Sequence, residues 1–265
     1  MTLRVGRIPY LSCEPFYFDM GSRDLHLVDL VPSAVAPALE QGLIDAGPAP
    51  LAGCFRLEGQ FRLLSGFCLA SIRKTGSVWL HAKHPIEALG DACIGITSEA
   101  ATSFDLLQIL LSLKYQVTPK AYVTLDDPND ACLLIGNQGL RQRFALDGYP
   151  HRYDLGEEWT AWTGLPFVFV HWLVRKDLDA KAAAQLEDAL YVGMQDWADG
   201  LFRTAPSRDD LLMHARDILS YTQGIRYFSG RPEQKSMGLF RQYLAQVPLK
   251  TSSAPCGDQM AGERR

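Results

Sequence analysis

The stretch PFVFVHWLVRK, residues 166–176, decides how the chain is laid out. It is almost wholly apolar, rich in β-branched and aromatic residues, and far short of the ~20 residues needed to cross a membrane. Such a run reads as a strand covered on both faces, at the heart of a sheet flanked by helices. A second apolar strand is read at 77–83, within GSVWLHAK. Between the two lies an α/β set of its own: strand 92–98, helix 100–115, strands 121–125 and 131–136, and helix 137–146. Another set precedes it: strands 3–11, 25–32 and 43–50, a helix over 33–42 with Ser33 as N-cap and Gly42 as stop, and a long strand over 61–72. Residues 179–246 read as three helices divided near Ala205-Pro206 and Gly230-Arg231-Pro232. The chain thus leaves one α/β set on strand 77–83 and returns to it on strand 167–176. The expectation is two α/β lobes around a ligand cleft, with the crossing strands as hinge. Residues 1–83 and 167–250 would form lobe I, residues 84–166 lobe II, and 251–265 a polar, disordered tail.

Composition excludes several classes of function. The 265 residues are 47% hydrophobic with a formal net charge of −4, and no cluster of five Lys or Arg occurs, so a nucleic-acid partner is not expected. No apolar run is long enough to span a membrane, and MTLRVGRIPYL enters a strand directly without a secretory leader, so no membrane partner and a cytoplasmic location are expected. The six cysteines are scattered without a C-x-x-C pair, which argues against zinc and for free thiols. Nucleophile-elbow, zincin, P-loop and dinucleotide-binding motifs are all missing; neither a metal nor an organic cofactor is expected.

Four segments each follow a strand and open a helix: Tyr10-Leu11-Ser12-Cys13, Gly47-Pro48-Ala49-Pro50, Thr97 to Ser103, and Gly136-Asn137. Ligands of open α/β sheets gather at such strand ends, and helix starts offer free N–H groups to an anion. TSEAATS is the richest, with Thr97, Ser98, Thr102 and Ser103 around one helix start and Ser98 as N-cap. Other polar groups read more simply. Asp45 suits a turn, Arg73-Lys74 a solvated loop, His171 a hydrogen-bonded core position, Glu157-Glu158 a helix start, and Trp159 and Trp162 a packed helix face.

Together, GRIPYLSCEPF, VPSAVAPALEQGLIDAGPAP, GSVWLHAKHPIEAL, ITSEAATSFDLLQILL, DACLLIGNQGL and YDLGEEWTAWTGLPFVFVHWLVRKDL resemble the chorismate dehydratases of the futalosine route to menaquinone, over residues 4–246. The resemblance implies a type-2 periplasmic-binding-protein-like fold. It implies a hydro-lyase that converts chorismate to 3-[(1-carboxyvinyl)oxy]benzoate and water without a cofactor. It places Tyr10, Ser77, Thr102, Ser103 and the Ile135-Gly136-Asn137 turn against the substrate and gives Ser12 the catalytic position; the strand-end loop at Gly47-Pro48-Ala49-Pro50 adds Pro48 as an expected substrate contact. The chain departs from the family pattern at Ser12, where Asn is usual, at Asn137, where Asp is usual, and at Arg73-Lys74-Thr75, where small residues are usual. A non-catalytic two-lobed protein holding an aromatic carboxylate, and the sister naphthoate synthase, are the alternatives. The oligomeric state is left open.

Overall fold

A computed structural model describes residues 2–204 and 207–251. The strands are β1 (Leu3–Arg7), β2 (Leu25–Asp29), β3 (Ala46–Pro50), β4 (Phe61–Ser71), β5 (Trp79–Ala82), β6 (Cys93–Ile96), β7 (Ala121–Thr124), β8 (Ala131–Leu134), β9 (His151–Asp154), β10 (Phe167–Arg175) and β11 (Ile225–Phe228). The helices are α1 (Glu14–Tyr17), α2 (Pro32–Glu40), α3 (Leu51–Leu57), α4 (Thr102–Ile109, continued by a π turn to Lys114), α5 (Gly136–Arg141), α6 (Leu155–Thr163), α7 (Ala180–Thr204), α8 (Ala215–Gln223) and α9 (Arg231–Leu244). No helix among the described residues is long and apolar enough to cross a membrane.

The strands form two sheets, ordered β11-β4-β10-β3-β1-β2 and β7-β6-β8-β5-β9. This is the two-lobed α/β architecture expected. In the first sheet β1 pairs in parallel with β2 and β3, while β10 runs antiparallel to both β3 and β4. Every residue of β10 from Phe167 to Val174 is buried, because helices cover both faces; hence its near-continuous apolar sequence.

The strand near residue 80 is placed differently from the expectation. β5 pairs with β8 and β9 in the second sheet, so the outward crossing is the irregular segment 72–78, and the strand lies past the crossing. The loop from Arg73 to Ser77 breaks the apolar run before Val78, and β5 finds antiparallel partners only in the second sheet.

Two short strands, β9 and β11, and helix α3 are additions to the sequence reading. β9 and β11 close the outer edges of their sheets. Each is four residues long and partly solvated, so neither leaves an apolar run in the sequence. The expected helix break at Ala205-Pro206 lies outside the described residues, as does the tail beyond Thr251. Cys13, Cys54, Cys68 and Cys132 are buried free thiols, whereas Cys93 is disulfide-bonded, contrary to expectation.

Candidate functional site

A cavity of about 70 Å3 lies between the two sheets. The first lobe contributes the loop after β1, the end of β3, β4 and β10; the second contributes the starts of α4 and α5; the crossing segment and α8 complete the wall. No residue lining it carries a formal charge, and its polar surface is hydroxyl-rich: Ser12, Ser71, Ser77, Thr102, Ser103 and Tyr221.

The loop after β1 is held by the other lobe. The Tyr10 hydroxyl donates to the Glu99 carboxylate, and the Tyr10 ring lies over Gly136. Gly136 has φ +56°, and a Cβ there would sit 2.3 Å from a Tyr10 ring carbon. Both the left-handed backbone and the close ring demand glycine. Asn137 accepts from the Leu11 N–H at 3.0 Å and donates to the Pro9 carbonyl at 3.1 Å. Ser33 adds a third bridge, donating to the Ser98 carbonyl at 2.8 Å. These contacts hold the two lobes together over the cavity.

Ser12, in the 3-10 turn before α1, is buried, and its carbonyl accepts from Tyr227 at 3.1 Å. Pro15 occupies the first turn of α1, where its fixed φ suits a helix start. The Cys13 thiol lies 3.9 Å from the Ser12 hydroxyl, and burial pushes it up to about 12, so it stays protonated near neutrality.

The crossing segment is organised by Asp154. Its carboxylate accepts from Thr75 N–H, Gly76 N–H, the Thr75 hydroxyl, Gly156 N–H and Glu157 N–H, all within 2.7–3.1 Å. One side chain thus caps α6 and sets the turn that carries Ser77 into the cavity. The Thr75 hydroxyl is saturated, since it also accepts from Ser77 N–H and Val78 N–H. The Thr102 oxygen accepts from Ala52 N–H at 3.3 Å, which leaves its proton free. Ser71 is buried on the cavity wall with a hydroxyl that has no hydrogen-bond partner among the described residues.

Most of the residues singled out in the sequence lie at this cavity: Tyr10, Ser12, Ser77, Thr102, Ser103 and Gly136 all line it. Pro48 does not; Pro50 takes its place. At ~3.3 Å per strand residue, Pro48 lies two residues deeper in β3, opposite Trp172. Asn137 is a clamp between lobes and not part of the lining. Ser98 is not the cap of α4, which begins at Thr102 behind an uncapped Ala101. Ser33 sits inside the first turn of α2, beyond the N-cap, and bonds across the cleft instead.

The simple readings of the other polar groups agree with the geometry. Asp45 pairs with Arg4 and Arg175. Lys74 pairs with Glu157. His171 is buried, with Nδ1 3.3 Å from the Trp172 carbonyl oxygen. Trp159 donates to Ser236, and Trp162 stacks on Tyr243.

Sequence reasoning passed over Tyr221 on α8. Its hydroxyl donates to Ser77 Oγ at 3.0 Å. Burial pushes its phenol up to about 12, against the pull of Ser77 and Ser12. Its only sequence signal was its place three residues after Ile218 on an amphipathic helix.

A family model described as menaquinone biosynthesis matches residues 3–246. The chain belongs to the menaquinone biosynthesis family. This menaquinone-biosynthesis protein is 25% identical over 262 residues to a Thermus thermophilus protein named chorismate dehydratase, covering 91% of this chain and 94% of that one. Among solved structures it resembles an Archaeoglobus fulgidus protein (TM-score 0.66, 15% identity, 92% and 97% of the two chains). It also resembles the alkanesulfonate-binding protein SsuA of Xanthomonas axonopodis pv. citri (0.63, 15%, 93% and 94%). A Candida albicans protein with the generic periplasmic-binding-protein fold is similar as well (0.57, 14%, 96% and 92%). These likenesses establish the periplasmic-binding-protein-like fold of the family member described here.

Proposed function

We propose that this protein dehydrates chorismate, removing the C3 proton and the C4 hydroxyl to leave 3-[(1-carboxyvinyl)oxy]benzoate and water. The observation that carries the reading is the uncharged, hydroxyl-bearing cavity between the lobes in a chain of the menaquinone biosynthesis family. The similarity to a protein named chorismate dehydratase supports it.

Chorismate is a dianion with a ring that gains aromaticity on losing water, so the driving force resides in the substrate. What the protein must supply is geometry and hydrogen-bond donors. The start of α4 offers unpaired backbone N–H groups beside the Thr102 and Ser103 hydroxyls, a setting that holds a carboxylate without a full cation. The apolar walls, among them Ile8, Leu69, Phe169 and Val170, suit the ring.

No lining residue is an ionised base. Glu99 lies behind Tyr10 and Asp154 behind the crossing turn, both engaged by donors. The substrate's own side-chain carboxylate, held close to C3, takes the proton, and fixing that approach is the protein's main contribution. Ser12 donates a hydrogen bond to the departing hydroxyl. Bridging contacts between the lobes keep water out during the step.

The test is incubation of purified protein with chorismate and mass analysis. Loss of one water supports the reading. Unchanged chorismate in the presence of saturable benzoate binding would favour a binding protein instead.

A further inference from the structure

We propose that Tyr221 is the proton source for the departing hydroxyl, delivering it through Ser77. The inference rests on the dehydratase reading and deepens it, because that reading leaves unanswered how hydroxide leaves a cavity without a charged acid.

Among the cavity-lining residues, three carry a proton more acidic than an alcohol: Tyr10, Cys13 and Tyr221. The Tyr10 hydroxyl is committed to Glu99, outside the space. The Cys13 thiol is fully buried, and the Ser12 hydroxyl 3.9 Å away is the neighbour it could serve. Tyr221 donates at 3.0 Å to Ser77 Oγ, a hydroxyl that itself lines the cavity, a much closer approach than the 3.9 Å between Cys13 and Ser12. Ser77 accepts that bond, so its own proton is free to point at a substrate oxygen.

The placement is built from distant parts of the chain. Asp154 fixes the turn that presents Ser77. The Tyr221 ring packs on Gly76, whose φ of +67° and missing Cβ let the ring approach; a Cβ would lie 3.2 Å from it. Leu11, Leu140, Leu211, Met213 and Ile218 form a small apolar cluster against which Tyr221 also packs. The phenol is therefore held in place, not swinging in solvent.

The energetics favour a phenol over a serine as the source. With its pKa pushed to about 12, Tyr221 remains several units more acidic than water at ~15.7, so hydroxide takes its proton downhill. A serine hydroxyl is no more acidic than water and serves only to pass the proton along.

The step balances. The C3–H electron pair becomes the new ring double bond as the C4–O bond breaks, and the C3 proton goes to the side-chain carboxylate. The departing oxygen takes the Ser77 proton while Ser77 takes that of Tyr221, giving water and a tyrosinate. The newly formed side-chain carboxylic acid then returns its proton to the tyrosinate, leaving carboxylate product and an unchanged protein.

The test compares wild type, Tyr221→Phe and protein carrying 3,5-difluorotyrosine at position 221, with chorismate as substrate. Phe keeps the ring packing and removes only the proton. The expected result is a kcat loss of ~10²–10³-fold for Tyr221→Phe with KM within about twofold, and unchanged affinity for 3-[(1-carboxyvinyl)oxy]benzoate. Fluorination, which acidifies the phenol without reshaping the site, is expected to change kcat and the solvent deuterium isotope effect, which a packing role would not move. An active wild type whose kcat is matched by Tyr221→Phe, or is indifferent to fluorination, would overturn the proton-donor role and leave the dehydratase reading intact. A wild type that leaves chorismate unchanged would overturn both.

Discussion

Replacing Asn137 with Ala separates a clamp from a substrate ligand. Asn137 makes two bonds across the lobes, one to the partly buried Leu11 N–H and one from its exposed amide to the Pro9 carbonyl. Losing the first costs about 1–1.5 kcal/mol, because the N–H is left without a partner, and losing the exposed second costs about 0.5 kcal/mol. Only the closed arrangement of the lobes has these bonds, so about 1.5–2 kcal/mol is lost from that arrangement. At ~1.4 kcal/mol per tenfold, affinity falls by at most about 10- to 30-fold, and by less the more completely the free wild-type protein is already closed. Calorimetric titration with 3-[(1-carboxyvinyl)oxy]benzoate measures it. A loss within that limit fits the clamp. Wild-type affinity would refute coupling between the clamp and binding. A loss beyond about 300-fold would show that Asn137 touches the ligand, as the family resemblance implies.

Other perturbations test other parts of the site. Ser12→Asn, which restores the residue usual in the resembled family, is expected to raise kcat more than it changes KM, because the amide reaches one heavy atom further toward the departing oxygen; steady-state kinetics showing equal, fast turnover by both forms would remove Ser12 from the chemistry. Thr102→Val removes a free hydroxyl proton and the acceptor for Ala52 N–H; an affinity loss of about 1–3 kcal/mol is expected by titration with the same benzoate, and an unchanged value would remove Thr102 from the carboxylate site. His81 is buried with neither ring nitrogen hydrogen-bonded among the described residues, and burial, aided by Arg152, pushes its pKa down to about 4. The unfolded chain therefore binds a proton between pH 6.5 and 4 that the folded chain does not, so this group costs stability progressively as pH falls through that window. Asp105, pushed up to about 6 by burial, acts in the opposite sense from pH 6 to 3.8. The difference between wild type and His81→Leu in denaturant melts isolates the histidine: the variant should gain relative stability on acidification, by on the order of 2 kcal/mol at pH 4, and a pH-independent difference would contradict the assignment.

The parts of the fold legible in the sequence were those with strong burial patterns. β10 reads as a covered strand because all but its last residue is buried, and the inserted α/β set is visible as strand–helix alternation. What stayed hidden had half-exposed or cross-chain causes. β9 and β11 are edge strands with mixed burial, and the placement of β5 depends on pairing partners some 50 and 70 residues further on.

The same division holds at the site. Ser12, Thr102, Ser103 and Gly136 were visible because each sits where a strand gives way to a helix, the local setting that exposes N–H groups. Tyr221 was not, since it reaches the cavity from within a helix and gains meaning only from its contact with Ser77, 144 positions away. Asp154 was equally hidden: an aspartate before a helix looks like a cap, and it is one, but three of its five bonds go back to Thr75 and Gly76.

The central claim is that chorismate loses water in this cavity. Proton NMR of chorismate incubated with purified wild-type protein tests it most directly, because the ring protons move into the aromatic region as the diene becomes a benzene. The account predicts aromatic signals of 3-[(1-carboxyvinyl)oxy]benzoate growing in step with the loss of chorismate, at a rate proportional to protein concentration. Chorismate signals that persist unchanged, or merely broaden on binding, would contradict it.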